Sequence, residues 1–377
     1  MSLLHSAYNL MAQQAAAAAT HWYDNYWWHF ALYSLILITF VMVGALVFIY
    51  AERRLVARFQ LRIGPNRIGP FGLLQAIADA IKSLIKEDIL PTKVDKIVFW
   101  LAPIVTFAPI LMLFAVIPFG GGSFMADINI GILYIVSVSS IVTVGIFMAG
   151  WSSNNKYALL GSMRDIAQLV SYEIPMGLSI VGVVLMAGSL SLKDIVNAQS
   201  VPFILVQPLG FLIFFTASLA EINRAPFDLL EADSEIVAGY NIEYSGMKFA
   251  MLYLAEYCEA LAMAAITAVL FLGGWKGPFL PPILWFMIKI FAVFFMIIWI
   301  RATIPRLRID QVLGFAWKFL LPLSLINLVA TAVQVFFLRD VTISIWVYAG
   351  INIILLVVFV ALWSKLFRSG GEKVELV

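Results

Sequence analysis

Three glutamates stand where a carboxylate is costly. Glu173, Glu256 and Glu259 fall inside long apolar stretches, the last two three residues apart and so on one helical face. An ionised acid near the centre of a bilayer costs about 2.5–3.5 kcal/mol on insertion scales, so such groups are expected to face one another or a wet cavity and to relay protons. A second acidic group lies in EINRAPFDLLEADSEIVAGYNIEYSG (221–246), which holds Glu221, Asp228, Glu231, Asp233, Glu235 and Glu243 with one base, Arg224. Phe227, Leu229, Leu230, Ile236 and Val237 interleave with these acids, a pattern expected of a packed loop. Carboxylates alone can hold a metal, but neither histidine nor a calcium-type spacing accompanies them. All three histidines lie in the first 29 residues and Cys258 is the sole cysteine. The chain is therefore expected to carry no haem, metal or disulfide, and any electron transfer must use a centre on another chain. A third group is basic: AERRLVARFQLRIGPNRIGP (51–70) holds five arginines and two Gly-Pro pairs.

The elements that must position these groups are apolar helices. Of the 377 residues, 63% are hydrophobic and only 12% charged, with a mean hydropathy of +0.97, so the chain reads as an all-α polytopic transmembrane bundle. About nine spans are predicted, near 30–50, 97–118, 130–150, 158–188, 203–221, 249–272, 283–302, 315–338 and 343–364. Glu173 lies roughly 18 Å along the fourth at 1.5 Å per residue, and Pro175 beside it predicts a kink. With the N-terminus outside, 20 of the 24 lysines and arginines fall on inner segments, as the positive-inside rule requires. The expected organisation is one integral-membrane domain over 1–377. Its parts are an outer N-terminal segment (1–29), an inner loop (51–96), the acidic inner loop (221–248) and an inner tail (365–377). The first twenty residues lack the basic start of a signal peptide, and the aromatic cluster WYDNYWWHF (22–30) is expected at the outer interface. No internal repeat of the kind found in secondary transporters is visible.

The arginine-rich stretch leads directly into FGLLQAIADAIKSLIKED (71–88). There Leu74, Ile77, Ala78, Ile81 and Ile85 repeat at helical spacing, with Gln75, Asp79, Lys82 and Lys86 on the opposite face. This is an amphipathic helix too short and too charged to span, expected at the inner interface or against a partner subunit. The Gly-Pro pairs predict a stiff turn that aims it.

These segments together resemble one family, the H-type membrane subunit of respiratory complex I, the proton-pumping NADH:quinone oxidoreductase. The matching stretches are residues 51–88, AGWSSNNKYALLGSMR (149–164), SYE (171–173), APFDLLEADSEIVAGYNIEYSG (225–246), LAEY (254–257) and RATIPRLRIDQ (301–311). Leu230, Asp233 and Ile309 depart from the pattern, standing where proline, glutamate and tyrosine are usual. The resemblance implies a subunit of an H+-pumping translocase that lines a quinone chamber and couples quinone reduction to proton movement. It implies that Glu52, Arg53, Arg62 and Asp79 line the chamber or its entrance, and that Glu173, Glu221, Glu231, Asp233, Glu235 and Glu256 form a carboxylate path. Quinone is then the substrate, this chain has no redox centre, and FMN and iron–sulfur clusters belong to partner subunits. The implied partners are the hydrophilic quinone-site and iron–sulfur subunits, small membrane subunits and antiporter-like subunits, together with the lipid bilayer and no nucleic acid. The implied location is the bacterial cytoplasmic (inner) membrane. Three alternatives stay open at this point: the related membrane subunit of a proton-pumping hydrogenase or F420-linked complex, a free-standing ion transporter, and a structural anchor.

Overall fold

The computed structural model describes the backbone of residues 2–121, 126–229, 239–338, 349–354 and 357, with side chains from residue 31 onward except that of Leu338. Among the described residues there are helices and loops and no strand. In chain order the helices are α1 (Ser2–Phe59), α2 (Gln75–Ile85), α3 (Lys96–Leu113), α4 (Gly131–Ser152), α5 (Lys156–Ala187), α6 (Leu192–Ala198), α7 (Phe203–Val206) and α8 (Pro208–Glu221). They continue with α9 (Gly246–Phe271), α10 (Pro282–Thr303), α11 (Ile309–Phe315) and α12 (Leu321–Leu338), a π-turn over Ala316–Leu320 joining the last two. The chain divides into two units, Met1–Val43 and Gly44–Val377. The first is helical over its described backbone; the site lies in the second.

Among the described residues, seven helical segments are long and apolar enough to cross a membrane. The predicted span at 203–221 is instead two helices, α7 and α8, broken at Gln207–Pro208. Proline has no N–H to give the preceding turn, and at 14 residues α8 is about 21 Å long, short of a ~30 Å hydrocarbon core. The break is held from outside its own segment. Asn352 Nδ2 donates to the Val206 carbonyl at 2.7 Å, and Gln207 Nε2 to Thr331 Oγ1 at 2.9 Å. Buried backbone in a membrane protein needs such partners wherever the helical ladder is interrupted. α5 runs as one helix through Pro175. Of the ninth predicted span only 349–354 and 357 are described; the rest, the side chains of 22–30 and the tail from 365 lie outside the described residues.

α9 occupies the middle of the second unit, packed by α2, α3, α6 and α10. Its small residues suit it to that place: Ala260, Ala262, Ala264, Ala265 and Ala268 are all buried, and small side chains let neighbouring helices approach. α3 and α4 form another close pair. A side chain at Gly145 would put its Cβ 2.4 Å from Thr106 Oγ1 and 2.7 Å from the Thr106 nitrogen, so the α3–α4 approach requires glycine there. Lys289, a base inside a predicted span, donates to the Gly274 and Lys276 carbonyls at 2.8 and 2.7 Å and so closes the loop after α9.

The two Gly-Pro pairs do form a turn. Gly69 has φ 71°, Pro70 begins a single 3-10 turn, and Gly72 has φ 78°. A Cβ on Gly72 would lie 2.3 Å from the Pro65 carbonyl oxygen. Gly72→Ala is therefore expected to cost about 1–3 kcal/mol in backbone strain and to lower the melting temperature of the purified protein; an unchanged transition would show that the turn relaxes without loss. α2 comes next, with Gln75 and Asp79 of its polar face half-buried and Lys82 and Lys86 exposed. Asp79 pairs with Arg53 and accepts from Gln75 at 2.9 Å, while Leu74, Ile77, Ile81, Leu84 and Ile85 on the apolar stripe are exposed. In an aqueous protein that stripe would be buried; here it is the face suited to lipid.

Candidate functional site

The sequence-predicted residues Glu52, Arg53 and Asp79 meet residues from distant segments in one continuous polar line. Glu52, on α1, is only 4% exposed. It accepts from Arg224 Nη1 at 3.2 Å, from a residue 172 positions away, and also forms an ion pair with Arg301 at the end of α10. Two guanidinium groups thus share one buried carboxylate. Arg224 in turn lies over the Tyr257 ring, 4.5 Å from its centroid, a favourable placement for a desolvated cation. Burial opposes the Arg224 charge, but Tyr257 and Glu256 beside it more than offset that and hold its pKa above the ordinary arginine value. The Tyr257 and Tyr253 hydroxyls are 3.1 Å apart, and Tyr253 lies beside Arg53, which pairs with Asp79 of α2. The line therefore runs from α2 through α1 and α9 to the end of α10. It borders a cavity of about 90 Å³ lined by Asn223, Arg224, Asp228, Tyr253, Glu256, Tyr257 and Arg301, polar enough and large enough for ordered water.

A group of acids adjoins this cavity. Glu173 on α5 accepts a hydrogen bond from the Ser140 hydroxyl of α4 and is within electrostatic reach of Glu221 at the end of α8. Glu221 is buried, and its Oε2 has no hydrogen-bond partner among the described residues. Glu259 of α9 is buried within reach of Glu221, Glu256, Asp165 and Arg224. The resemblance places Glu173, Glu221 and Glu256 on one path, and the structure brings them into one neighbourhood. Glu231, Asp233 and Glu235 lie outside the described residues.

The described ends of the acidic loop are packed as its interleaved apolar residues predict. Phe227 and Leu229 are buried, and Gln168 Nε2 donates to the Ala220 carbonyl at 2.7 Å and to Asn223 Oδ1 and the Phe227 carbonyl at 2.9 Å. One carboxamide of α5 thereby pins the chain as it leaves α8. At the other end Tyr244 stacks on Phe99 with ring centroids 4.1 Å apart. Burial pushes the Tyr244 hydroxyl up to about 12 against the opposing hydrogen bond with Ser152, so it is neutral at physiological pH.

Arg62 is placed apart from the buried line. It is exposed in the turn after α1, donates through Nε to Gln60 Oε1 at 2.7 Å, and with Arg54, Arg58, Ile63, Gly64, Pro65, Asn66 and Phe71 lines an open pocket of about 340 Å³. Arg54 ties this pocket to the turn, donating to the Tyr50 hydroxyl and, at 3.0 Å, to the Phe71 carbonyl. The chemistry available is fixed positive charge around an open concavity, next to a helix with an exposed apolar stripe.

A family model described as NADH dehydrogenase matches residues 32–332, a stretch that takes in Glu52, Arg224, Arg301 and all the acids above. The chain belongs to the NADH dehydrogenase family. The H subunit of NADH-quinone oxidoreductase from Dehalococcoides mccartyi (strain CBDB1) is 60% identical over 353 residues, 94% of this chain and 99% of that protein. The proteins of the same name from Geobacillus kaustophilus (strain HTA426) and Brevibacillus brevis (strain 47) are 53% identical over 309 residues and 48% over 333. Those alignments cover 80% and 87% of this chain and 92% and 97% of theirs. The resemblance drawn from the sequence is borne out. For this member of the NADH dehydrogenase family, residue order does not single out Asp165, Tyr253, Tyr257 or Arg301. Tyr253 and Tyr257 are one helical turn apart and flank Glu256, a spacing that could have marked them. Asp165 comes after Arg164 at the inner end of a predicted span, where a charged residue needs no explanation, so nothing in its neighbours marks it as buried.

Proposed function

We propose that this chain is the H-type membrane subunit of a proton-translocating NADH:quinone oxidoreductase, in which it lines the quinone chamber and links quinone reduction to proton movement. The observation that carries this reading is the near full-length match to relatives named as the H subunit of NADH-quinone oxidoreductase. The geometry supports it, because a cation-lined opening and a buried polar line lead toward a group of membrane-embedded acids. The lipid-tailed quinone reaches the chamber past the apolar stripe of α2 and the arginine turn, with Arg62 and the Arg53–Asp79 pair at its mouth. FMN and the iron–sulfur clusters sit in hydrophilic partner subunits, further membrane subunits complete the proton path, and the assembly lies in the bacterial cytoplasmic membrane.

This chain's own residues then have two tasks. Arg53, Arg224 and Arg301 keep their charge at any working pH, so they stabilise negative charge arriving in the chamber while Glu52 holds two of them in place. Reduction of a quinone by two electrons calls for two protons, and the closely spaced acids titrate as a coupled set in which one charge change redistributes protons among all. The loop from Asn223 onward connects the two, since Asn223, Arg224 and Asp228 face the cavity while Gln168 anchors them to the helix bearing Glu173.

Arg62→Ala tests the chamber assignment. It is expected to lower NADH:quinone reductase activity about tenfold, equivalent to about 1.4 kcal/mol, while transfer to an artificial acceptor that bypasses quinone stays within about twofold of wild type on the same scale. Equal loss of both activities would mean an assembly defect and would count against the assignment.

A further inference from the structure

We propose that Asp165 and Glu259 form a proton-holding side branch of the carboxylate path, exchanging a proton with Glu221. The proposal rests on the proton-coupling function above; it adds Asp165 to the acids and gives Glu259, which the sequence already marks, its exchange partners. Asp165 lies in the third turn of α5, eight residues before Glu173. It is 1% exposed, and neither carboxylate oxygen has a close hydrogen bond or an ion pair among the described residues, the neutral Asn223 carboxamide being the donor placed beside it. That separates it from an ordinary acidic cluster. A structural carboxylate at such depth is held by donors or a cation, as Glu52 is, because an unpaired buried charge is strongly unfavourable. No cation holds Asp165 among the described residues, and the donor beside it is the neutral Asn223 carboxamide.

The surroundings of Asp165 are acidic. The 222–229 loop presents Asn223 and Asp228 to it, α9 presents Glu259, and Glu259 also faces Glu221, Glu256 and Arg224. Glu221 Oε2 likewise has no hydrogen-bond partner among the described residues. Carboxyl groups so placed cannot all be ionised together, so the charge on one decides whether its neighbour holds a proton. The step is a plain proton transfer. When Glu221 has given up its proton, Glu259 passes one to it across intervening water, and Asp165 replaces the proton on Glu259. The negative charge then rests on Asp165 until a proton from the aqueous side of the 222–229 loop neutralises it. One proton enters for each proton that leaves, and no electron is involved.

The test uses the assembled complex in proteoliposomes, reading NADH:quinone turnover, protons moved per electron pair and the pH profile. D165N is expected to assemble, to leave electron transfer to an artificial acceptor unchanged, and to lower coupled turnover about fivefold, the low end of typical coupling between sites. D165E is expected to recover most of the loss and E259Q to resemble D165N. Wild-type turnover and pH profile in D165N would overturn the branch. Failure of D165N to assemble would overturn it as well, because the neutral isostere keeps an acceptor oxygen for Asn223 and removes no ion pair, so its loss would reveal a structural role. If Glu173→Gln is impaired while D165N is normal, the main path stands without the branch; if both are normal, the coupling function fails with it.

Discussion

Replacing Glu52 by alanine is expected to destabilise the protein by about 3–5 kcal/mol, the range for removing one partner of a buried ion pair, and to abolish quinone reduction. The reason is the number of charges Glu52 neutralises. It is 4% exposed and contacts both Arg224 and Arg301, so the substitution leaves two like charges facing each other with only a cavity of about 90 Å³ for solvent. Repulsion and desolvation then act together. The first check is the yield and melting temperature of the purified complex. Glu52→Gln, which keeps the shape and one acceptor, is expected to lie between wild type and alanine. Glu52→Ala combined with Arg301→Met should recover part of the loss, since clearing charge from a buried site costs less than orphaning it. A Glu52→Ala complex with wild-type melting behaviour would mean that cavity water screens both arginines, and the buried line would lose its structural role.

The second large effect concerns catalytic coupling with the fold kept intact. Glu173→Gln is expected to preserve assembly, because glutamine can still accept the Ser140 hydrogen bond, and to lower coupled quinone reductase activity on the order of a hundredfold, the low end for a positioned proton-transfer group. Glu173 accepts from a neutral hydroxyl and lies within reach of a second acid, Glu221. Those surroundings suit a group whose charge changes during turnover better than a site built to hold a permanent anion, as the one around Glu52 is. The measurement is the rate of NADH oxidation by quinone together with proton uptake into vesicles. Normal values of both in the glutamine variant would remove Glu173 from the path.

Both effects depend on residues that the sequence marks with unequal clarity. Glu173 stands out because an acid in a long apolar run is expensive wherever its helix turns. Glu52 is carried only by the resemblance, since the next residues, Arg53 and Arg54, make it look like part of a solvated charge run. The resemblance also groups Arg62 with Glu52, Arg53 and Asp79 as one lining. The structure joins Arg53 and Asp79, both part-exposed, to the end of the polar line and sets Arg62 in the open pocket with Arg54 and Arg58.

Residue order alone is enough for the helical membrane-embedded class, for the arginine turn with its amphipathic helix, for marking the acids in apolar runs at 173, 256 and 259, and for the family, whose long local motifs are legible without any contact. Those properties depend on composition, period and the succession of residues within some twenty positions. Packing in three dimensions was needed to show that Arg224 and Arg301 converge on Glu52, that Asp165 is buried with no cation beside it among the described residues, that Asp79 of α2 pairs with Arg53, and that 203–221 is broken in two. Each of these depends on how a helix is rotated and which distant segment packs against it. Hydropathy places a residue along the chain but does not say what stands opposite its side chain.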